Sequence, residues 1–131
     1  MAFVETDIQD QIIIIKLNRP ERLNALSTVI REGMADAFNK FNDDKSLEVA
    51  ILTGEGRGFC AGEDMKESLE EGKLSDSPGK GEKIYNPFMA GKLDKPVIGA
   101  INGYAMGGGF MLVEKTDLRV AVKEAIFEMS E

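Results

Sequence analysis

The groups best placed to do chemistry in this chain are backbone N–H groups at two glycine-rich turns. The first candidate lies in Ile101-Asn102-Gly103-Tyr104-Ala105-Met106-Gly107-Gly108-Gly109-Phe110-Met111. An apolar run, Pro96 to Ile101, leads into three consecutive glycines, and a helix-compatible stretch, Phe110 to Lys115, follows. Glycines at such a junction let another group approach the main chain closely. They also leave N–H groups pointing outward at a helix N-terminus, which suits an anion or a developing oxyanion. The second candidate is Gly54-Glu55-Gly56-Arg57-Gly58-Phe59-Cys60-Ala61-Gly62-Glu63-Asp64-Met65, which follows the apolar run Val49 to Leu52. Two such junctions, about 45 residues apart, can each aim one N–H at a common point. Two convergent donors are what a thioester carbonyl needs as it becomes an enolate. The plainer alternative is a pair of tight strand-to-helix turns.

Other chemistries are excluded. The sequence contains no histidine, which rules out Ser-His-Asp and Cys-His catalysis and His-ligated metal within it. Cys60, the one cysteine, has no base to activate it and sits between Phe59 and Ala61, so a buried small residue is expected. The turn Gly54-Glu55-Gly56 is not a dinucleotide fingerprint, because Phe59 stands where the third glycine belongs. Nor is it a P-loop, since no Gly-Lys-Ser/Thr follows.

These turns need strands and helices to hold them. Phe3–Asp7 and Gln11–Leu17 suggest two short strands around a polar turn at Gln9-Asp10. Ser27 to about Asn42 suggests a helix, with Ile30, Met34, Ala37, Phe38 and Phe41 on one face and Ser27 or Thr28 as its cap. A strand over Glu48–Thr53 follows, then the first glycine turn and a short helix near Asp64–Leu69. Glu71–Lys83 is polar, with Gly72, Pro78, Gly79 and Gly81, and predicts a mobile loop. A helix over about Glu82–Leu93, a strand over Pro96–Ile101, the second glycine turn with its helix, and a strand over Asp117–Val122 complete the chain. Near-continuous apolar strands alternating with helices predict α/β architecture with a largely parallel, buried sheet.

At 131 residues and 43% hydrophobic composition, one domain over residues 1–131 with a real core is expected. No apolar run approaches the ~18 residues of a membrane span. The start, Met1-Ala2-Phe3-Val4-Glu5, lacks the basic and apolar regions of a secretory signal. A single cysteine allows no internal disulfide, which fits a reducing cytoplasm or organelle matrix. The net charge of −7 argues against nucleic acid as a partner. Lys16, Arg19, Arg22, Arg57 and Lys66 cluster around the motifs; a solvated face is the ordinary reading of each.

In these motifs the sequence resembles the enoyl-CoA hydratase/isomerase (crotonase) superfamily. The matching pieces are Leu17-Asn18-Arg19-Pro20 with Leu23-Asn24-Ala25-Leu26, then Gly58-Phe59-Cys60-Ala61-Gly62-Glu63-Asp64-Met65, then Lys95 through Gly109. They correspond to the N-terminal half of a usual member. The resemblance implies a spiral of ββα turns, without the C-terminal helical region that builds the family's trimers. It implies homo-trimers or hexamers for full-length members, and an acyl-CoA substrate with no permanently bound cofactor beyond the coenzyme A that the substrate carries.

The resemblance also assigns residues. The oxyanion donors would be the backbone N–H groups of Glu63 and Gly108; the Glu63 side chain would be a solvated carboxylate and Asp64 a helix cap. Coenzyme A contacts would fall on Arg22, Leu23, Ala25 and the Ala61–Met65 turn with Lys66, Arg22 and Lys66 facing phosphates. The acyl pocket would draw on Met65, Phe88, Met106 and Met111, although core packing explains each Met as well. One of two hydratase carboxylates would stand at position 111, where the sequence has Met, and the other falls on Glu131. Glu114, a helical turn beyond Met111, would leave from a displaced point. A single carboxylate suits proton shuttling between the α and γ carbons better than hydration. The expectation is therefore an isomerase-like acyl-CoA enzyme. The alternative is a non-catalytic acyl-CoA-binding fragment or assembly component of a crotonase-type protein.

Overall fold

The computed structural model describes residues 2–64 and 84–129. Strands β1 (Val4–Gln9) and β2 (Ile12–Leu17) form an antiparallel hairpin in the register Val4↔Leu17, turning at Asp10 with φ 55°. Helix α1 (Thr28–Asp43) follows, then β3 (Val49–Gly54) and β4 (Gly58–Cys60). Strands β5 (Val97–Ile101) and β6 (Tyr104–Met106) lead into helix α2 (Gly108–Lys115). Strands β7 (Leu118–Ala121) and β8 (Phe127–Glu128) come last.

The strands form two sheets. One has the order β1-β2-β3-β5-β7, parallel from β2 onward; the other is the parallel set β4-β6-β8. Each successive strand pair, β3/β4, β5/β6 and β7/β8, lays one strand in each sheet. The chain therefore climbs as a spiral, and the β3–β4 and β5–β6 corners stack one on the next. That repetition is what brings the two glycine turns together.

The α1 reading holds. Ser27 Oγ accepts the Ile30 N–H at 3.3 Å, as an N-cap should. Ile30, Met34, Ala37, Phe38 and Phe41 are all buried, packed with Ile13, Ile15, Leu17, Ala50 and Leu52 in one core. At the other end Lys95 Nζ donates to the Phe41 and Asp44 carbonyls at 2.7 and 2.8 Å, satisfying groups the helix terminus leaves open.

Four expectations change. Gly58–Cys60 is a strand, not the approach to a helix, and Tyr104–Met106 is a strand ahead of the three glycines. Three-residue strands are too short to show a period of two. The sheet is less enclosed than its apolar strands suggest: along β2, Ile13, Ile15 and Leu17 are buried while Ile12 is exposed and Ile14 half-buried. Residues 84–93 form turns rather than a helix. Asn86 Oδ1 accepts the Phe88 and Met89 N–H groups at 3.0 and 3.4 Å, starting a single turn that Gly91 ends at φ +67°. Most of the helix expected near Asp64–Leu69, and the loop over Glu71–Lys83, lie outside the described residues.

Candidate functional site

The first glycine turn is held by two asparagines. Asn24 is fully buried; its Nδ2 donates to the Glu55 and Gly58 carbonyls at 3.0 and 2.8 Å, and its Oδ1 accepts the Arg19 N–H at 2.7 Å. Asn102, at the next corner of the spiral, donates to the Gly56 and Gly58 carbonyls at 2.9 and 3.1 Å and accepts the Gly54 N–H at 3.0 Å. Together they fix the β3–β4 corner and so the start of the strand leading to Ala61. Sequence reasoning quoted both residues without giving them this role. The available signal was their repetition as Leu23-Asn24 and Ile101-Asn102, each polar side chain directly after an apolar residue.

Beyond β4 the chain is tied to the loop at 23–26. Ala61 N–H donates to the Leu23 carbonyl at 3.0 Å, and Leu26 N–H to the Gly62 carbonyl at 2.6 Å. Leu26 and Glu63 form a parallel bridge. In such a bridge the residues flanking Glu63 face the partner segment, so the Glu63 N–H is directed away from Leu26. Leu23 and Asn24 hold positive φ values of 50° and 56°, and Ala25 is buried.

The second turn meets the first at glycine-to-glycine contact. Gly62 has φ +91°, and a Cβ placed there would lie 2.7 Å from the Met106 carbonyl oxygen and 3.2 Å from the Gly108 nitrogen. A Cβ on Gly109 would overlap the Cys60 carbonyl. The glycines are thus required by a close backbone approach, not merely by turning. Gly107 is the N-cap of α2 and brings no side-chain cap; its N–H donates to the Glu128 carbonyl at 2.9 Å. Gly108 is the first residue of α2, and no described residue accepts its N–H. The helix dipole adds positive potential at that end.

The candidate residues divide. Gly62, the residue before Glu63, meets Gly108, while Ala61 and Glu63 are tied to the 23–26 loop that contains Ala25. Leu23 contributes a carbonyl already committed to Ala61. Asp64, expected as a helix cap, is 4% exposed with its carboxylate between two guanidiniums: Arg22 Nη1 at 3.3 Å from Oδ1 and Arg19 Nη1 at 3.7 Å from Oδ2. Arg22, expected to face phosphate, is thereby engaged with Asp64. Met111 lies on α2 with half its surface exposed, so it is not a core residue. Phe88 is 3% exposed and stacks on Phe38 with ring centroids 4.5 Å apart. That places it in the core and removes it from the acyl-pocket candidates. Glu114 is exposed, and its carbonyl accepts from Arg119 Nη2 at 3.3 Å. Met65, Lys66 and Glu131 lie outside the described residues.

Cys60 behaves as expected of a buried thiol. Burial pushes it up to about 11, with a backbone hydrogen bond from Gly62 acting the other way. Such a thiol stays protonated at neutral pH and is no nucleophile. Among the described residues no group of three His, Cys, Asp or Glu is arranged to hold a metal ion, and no helix is long and apolar enough to cross a membrane.

The family model for enoyl-CoA hydratase/isomerase matches residues 7–131. The chain belongs to that family. It is 35% identical to a 1,2-epoxyphenylacetyl-CoA isomerase of Escherichia coli, the match covering 99% of this chain and 51% of the relative. It is 40% identical to a carnitinyl-CoA dehydratase of Proteus mirabilis, over 92% of this chain and 46% of the relative. A crystal structure of an enoyl-CoA hydratase from Mycobacterium tuberculosis superposes with a TM-score of 0.81 at 37% identity, covering 97% of this chain and 48% of that one. The chain thus spans about half the length of the relatives it matches. The solved family member shares the two-sheet spiral, which accords with the mixed, mostly parallel architecture described above.

Proposed function

We propose that the chain carries the carbonyl-activating half of an acyl-CoA enzyme. In this reading the N–H groups of Glu63 and Gly108 donate to a thioester oxygen and hold the charge of its enolate. The observation that supports it is the contact of Gly62 with Gly108, which brings both donor-bearing turns to one point. Each donor contributes roughly 2.7–4 kcal/mol of transition-state stabilisation in sites of this kind. The N-terminus of α2 adds a favourable dipole. Both turns are anchored by hydrogen bonds, so the donors need no rearrangement as charge develops.

Coenzyme A would lie along Arg22, Leu23, Ala25 and the Ala61–Asp64 turn, continued by Met65 and Lys66. Proton transfer would run through Glu131. Met111 stands where a second carboxylate would be needed to orient water, which favours α–γ proton transfer over hydration. In balance, on a β,γ-enoyl thioester the base takes the α-proton and electrons move onto the thioester oxygen as a dienolate; when they return, the double bond moves to α,β and the same proton is delivered to the γ carbon.

Titration calorimetry of the 131-residue chain with crotonyl-CoA, crotonate and NADH tests the ligand class. Binding of crotonyl-CoA alone is expected; preference for NADH would overturn the assignment. Exchange of the α-protons of butyryl-CoA in D₂O separates the enzyme from a non-catalytic acyl-CoA-binding component. Exchange lost in Glu131→Gln supports the former; its absence in the wild type supports the latter.

A further inference from the structure

We infer that Asp64 is a positioning residue for the oxyanion donor that precedes it, an inference that rests on the proposed role of the Glu63 N–H. The Glu63 peptide sits between two anchors. On one side the Gly62 carbonyl accepts the Leu26 N–H at 2.6 Å. On the other the Asp64 carboxylate lies between Arg22, at 3.3 Å, and Arg19, at 3.7 Å. Both arginines belong to one short loop around the 3-10 turn Pro20–Arg22. That loop is itself fixed. Arg19 donates its N–H to Asn24, its guanidinium lies 4.9 Å from the centre of the Phe3 ring, and Glu21 approaches it at 3.7 Å. Asn24 in turn holds the β3–β4 corner from which the donor turn departs. Asp64 therefore closes a ring of contacts: corner, asparagine, arginine loop, carboxylate, donor turn.

The chemistry of the ring explains the residue types. A surface ion pair would contribute little, but this carboxylate side chain is only 5% exposed and its partners are 22% and 29% exposed. A charge so buried is costly unless paired, and losing one partner leaves the other uncompensated. Two planar guanidiniums meeting one carboxylate from different points of a loop fix its direction more strictly than a single contact. Because Asp64 is the next residue after Glu63, rotation of the donor peptide would break the ring.

The test uses the 131-residue chain with Asp64→Asn, which keeps size but removes charge, and with Arg19→Met as a second variant. Two readouts are taken. In the first, the carbonyl stretch of bound crotonyl-CoA labelled with ¹³C at the thioester carbon is measured by difference infrared spectroscopy. The wild type is expected to lower this frequency, and Asp64→Asn, saturated with ligand whatever its Kd, to lose at least about half of that shift. A merely structural ion pair would leave the shift of the saturated variant unchanged. The second readout, amide hydrogen exchange, needs no ligand. Asp64→Asn is expected to speed exchange at Ala61 and Leu26 by ~10-fold or more, with Ala50 and Leu52 unchanged. If Asp64→Asn does not fold, Arg19→Met is read in the same two ways, with smaller effects expected. A full carbonyl shift retained in the variants overturns the inference, and so does unchanged exchange at Ala61 and Leu26. A wild type that binds crotonyl-CoA without any carbonyl shift, or binds none, overturns the function proposed for the Glu63 N–H. The exchange result then still reports whether Asp64 holds the turn.

Discussion

Replacing Gly62 by alanine probes the contact on which the site depends. Two costs are expected, and they are separable. The first is backbone conformation: φ +91° is a region that costs an L-residue ~1–2 kcal/mol. The second is steric. The new methyl would lie 2.7 Å from the Met106 carbonyl oxygen and 3.2 Å from the Gly108 nitrogen, both main-chain atoms that cannot rotate aside. Relief must come from separating the two turns, and overpacking of this kind costs ~1–3 kcal/mol. The summed destabilisation is about 2–5 kcal/mol, lessened by ~0.4–1 kcal/mol because alanine restricts the unfolded chain. Gly91→Ala supplies the control: φ is +67° there, and no atom lies within 4 Å of the added methyl. It carries the conformational cost without the steric one. Urea unfolding followed by circular dichroism, read at constant m, gives both values. Gly62→Ala should lose at least ~1 kcal/mol more than Gly91→Ala, and should bind crotonyl-CoA with less carbonyl polarisation. Equal losses in the two variants would refute the close approach of the glycine turns.

Further outcomes follow from other positions. Asn24→Ala should cost about 2–4 kcal/mol in the same assay, because it strands the Arg19 N–H and the Glu55 carbonyl; a loss under about 1 kcal/mol would contradict the bracing role. The Cys60 thiol lies higher when folded, about 11 against 9.0, so its contribution to stability is whole below pH 9 and falls as pH rises through about 11. The wild type should therefore lose stability over that window more steeply than Cys60→Ala, and a parallel profile would contradict it. Met111→Glu should fold with stability changed by no more than about 0.5 kcal/mol, because half of the methionine surface is already exposed; a loss above about 2 kcal/mol would mean that the position is buried.

How far the sequence carried the structure depended on signal length. Helix α1 was recoverable because sixteen residues repeat one apolar face and begin at a serine cap. Strands β2, β3 and β5 were recoverable from Ile12–Leu17, Val49–Leu52 and Val97–Ile101. The second sheet was not, because Gly58–Cys60, Tyr104–Met106 and Phe127–Glu128 are too short to repeat a hydrophobic pattern. What holds them is partnering with one another, a long-range property. The site divided in the same way. Glycines at 62 and 107–109 announced close backbone approach, and the structure brings Gly62 to Gly108. The roles of Asn24, Asn102 and Arg19 depend on partners about 30–50 residues away or on loop geometry, neither of which a local pattern encodes. The stretch that Asp64 was expected to cap lies outside the described residues; its arginine partners, forty-odd residues earlier, are equally beyond a local pattern.

The most direct test of the central claim is amide NMR of the ¹⁵N-labelled chain titrated with crotonyl-CoA and, separately, with coenzyme A. The thioester carries the carbonyl and coenzyme A does not. If the Glu63 and Gly108 N–H groups donate to that carbonyl, both proton resonances move downfield with crotonyl-CoA and stay in place with coenzyme A. The Ala61 and Leu26 resonances, committed to the Leu23 and Gly62 carbonyls, should move little in either titration. Glu63 and Gly108 resonances that respond identically to both ligands, or to neither while crotonyl-CoA binds, would contradict the account.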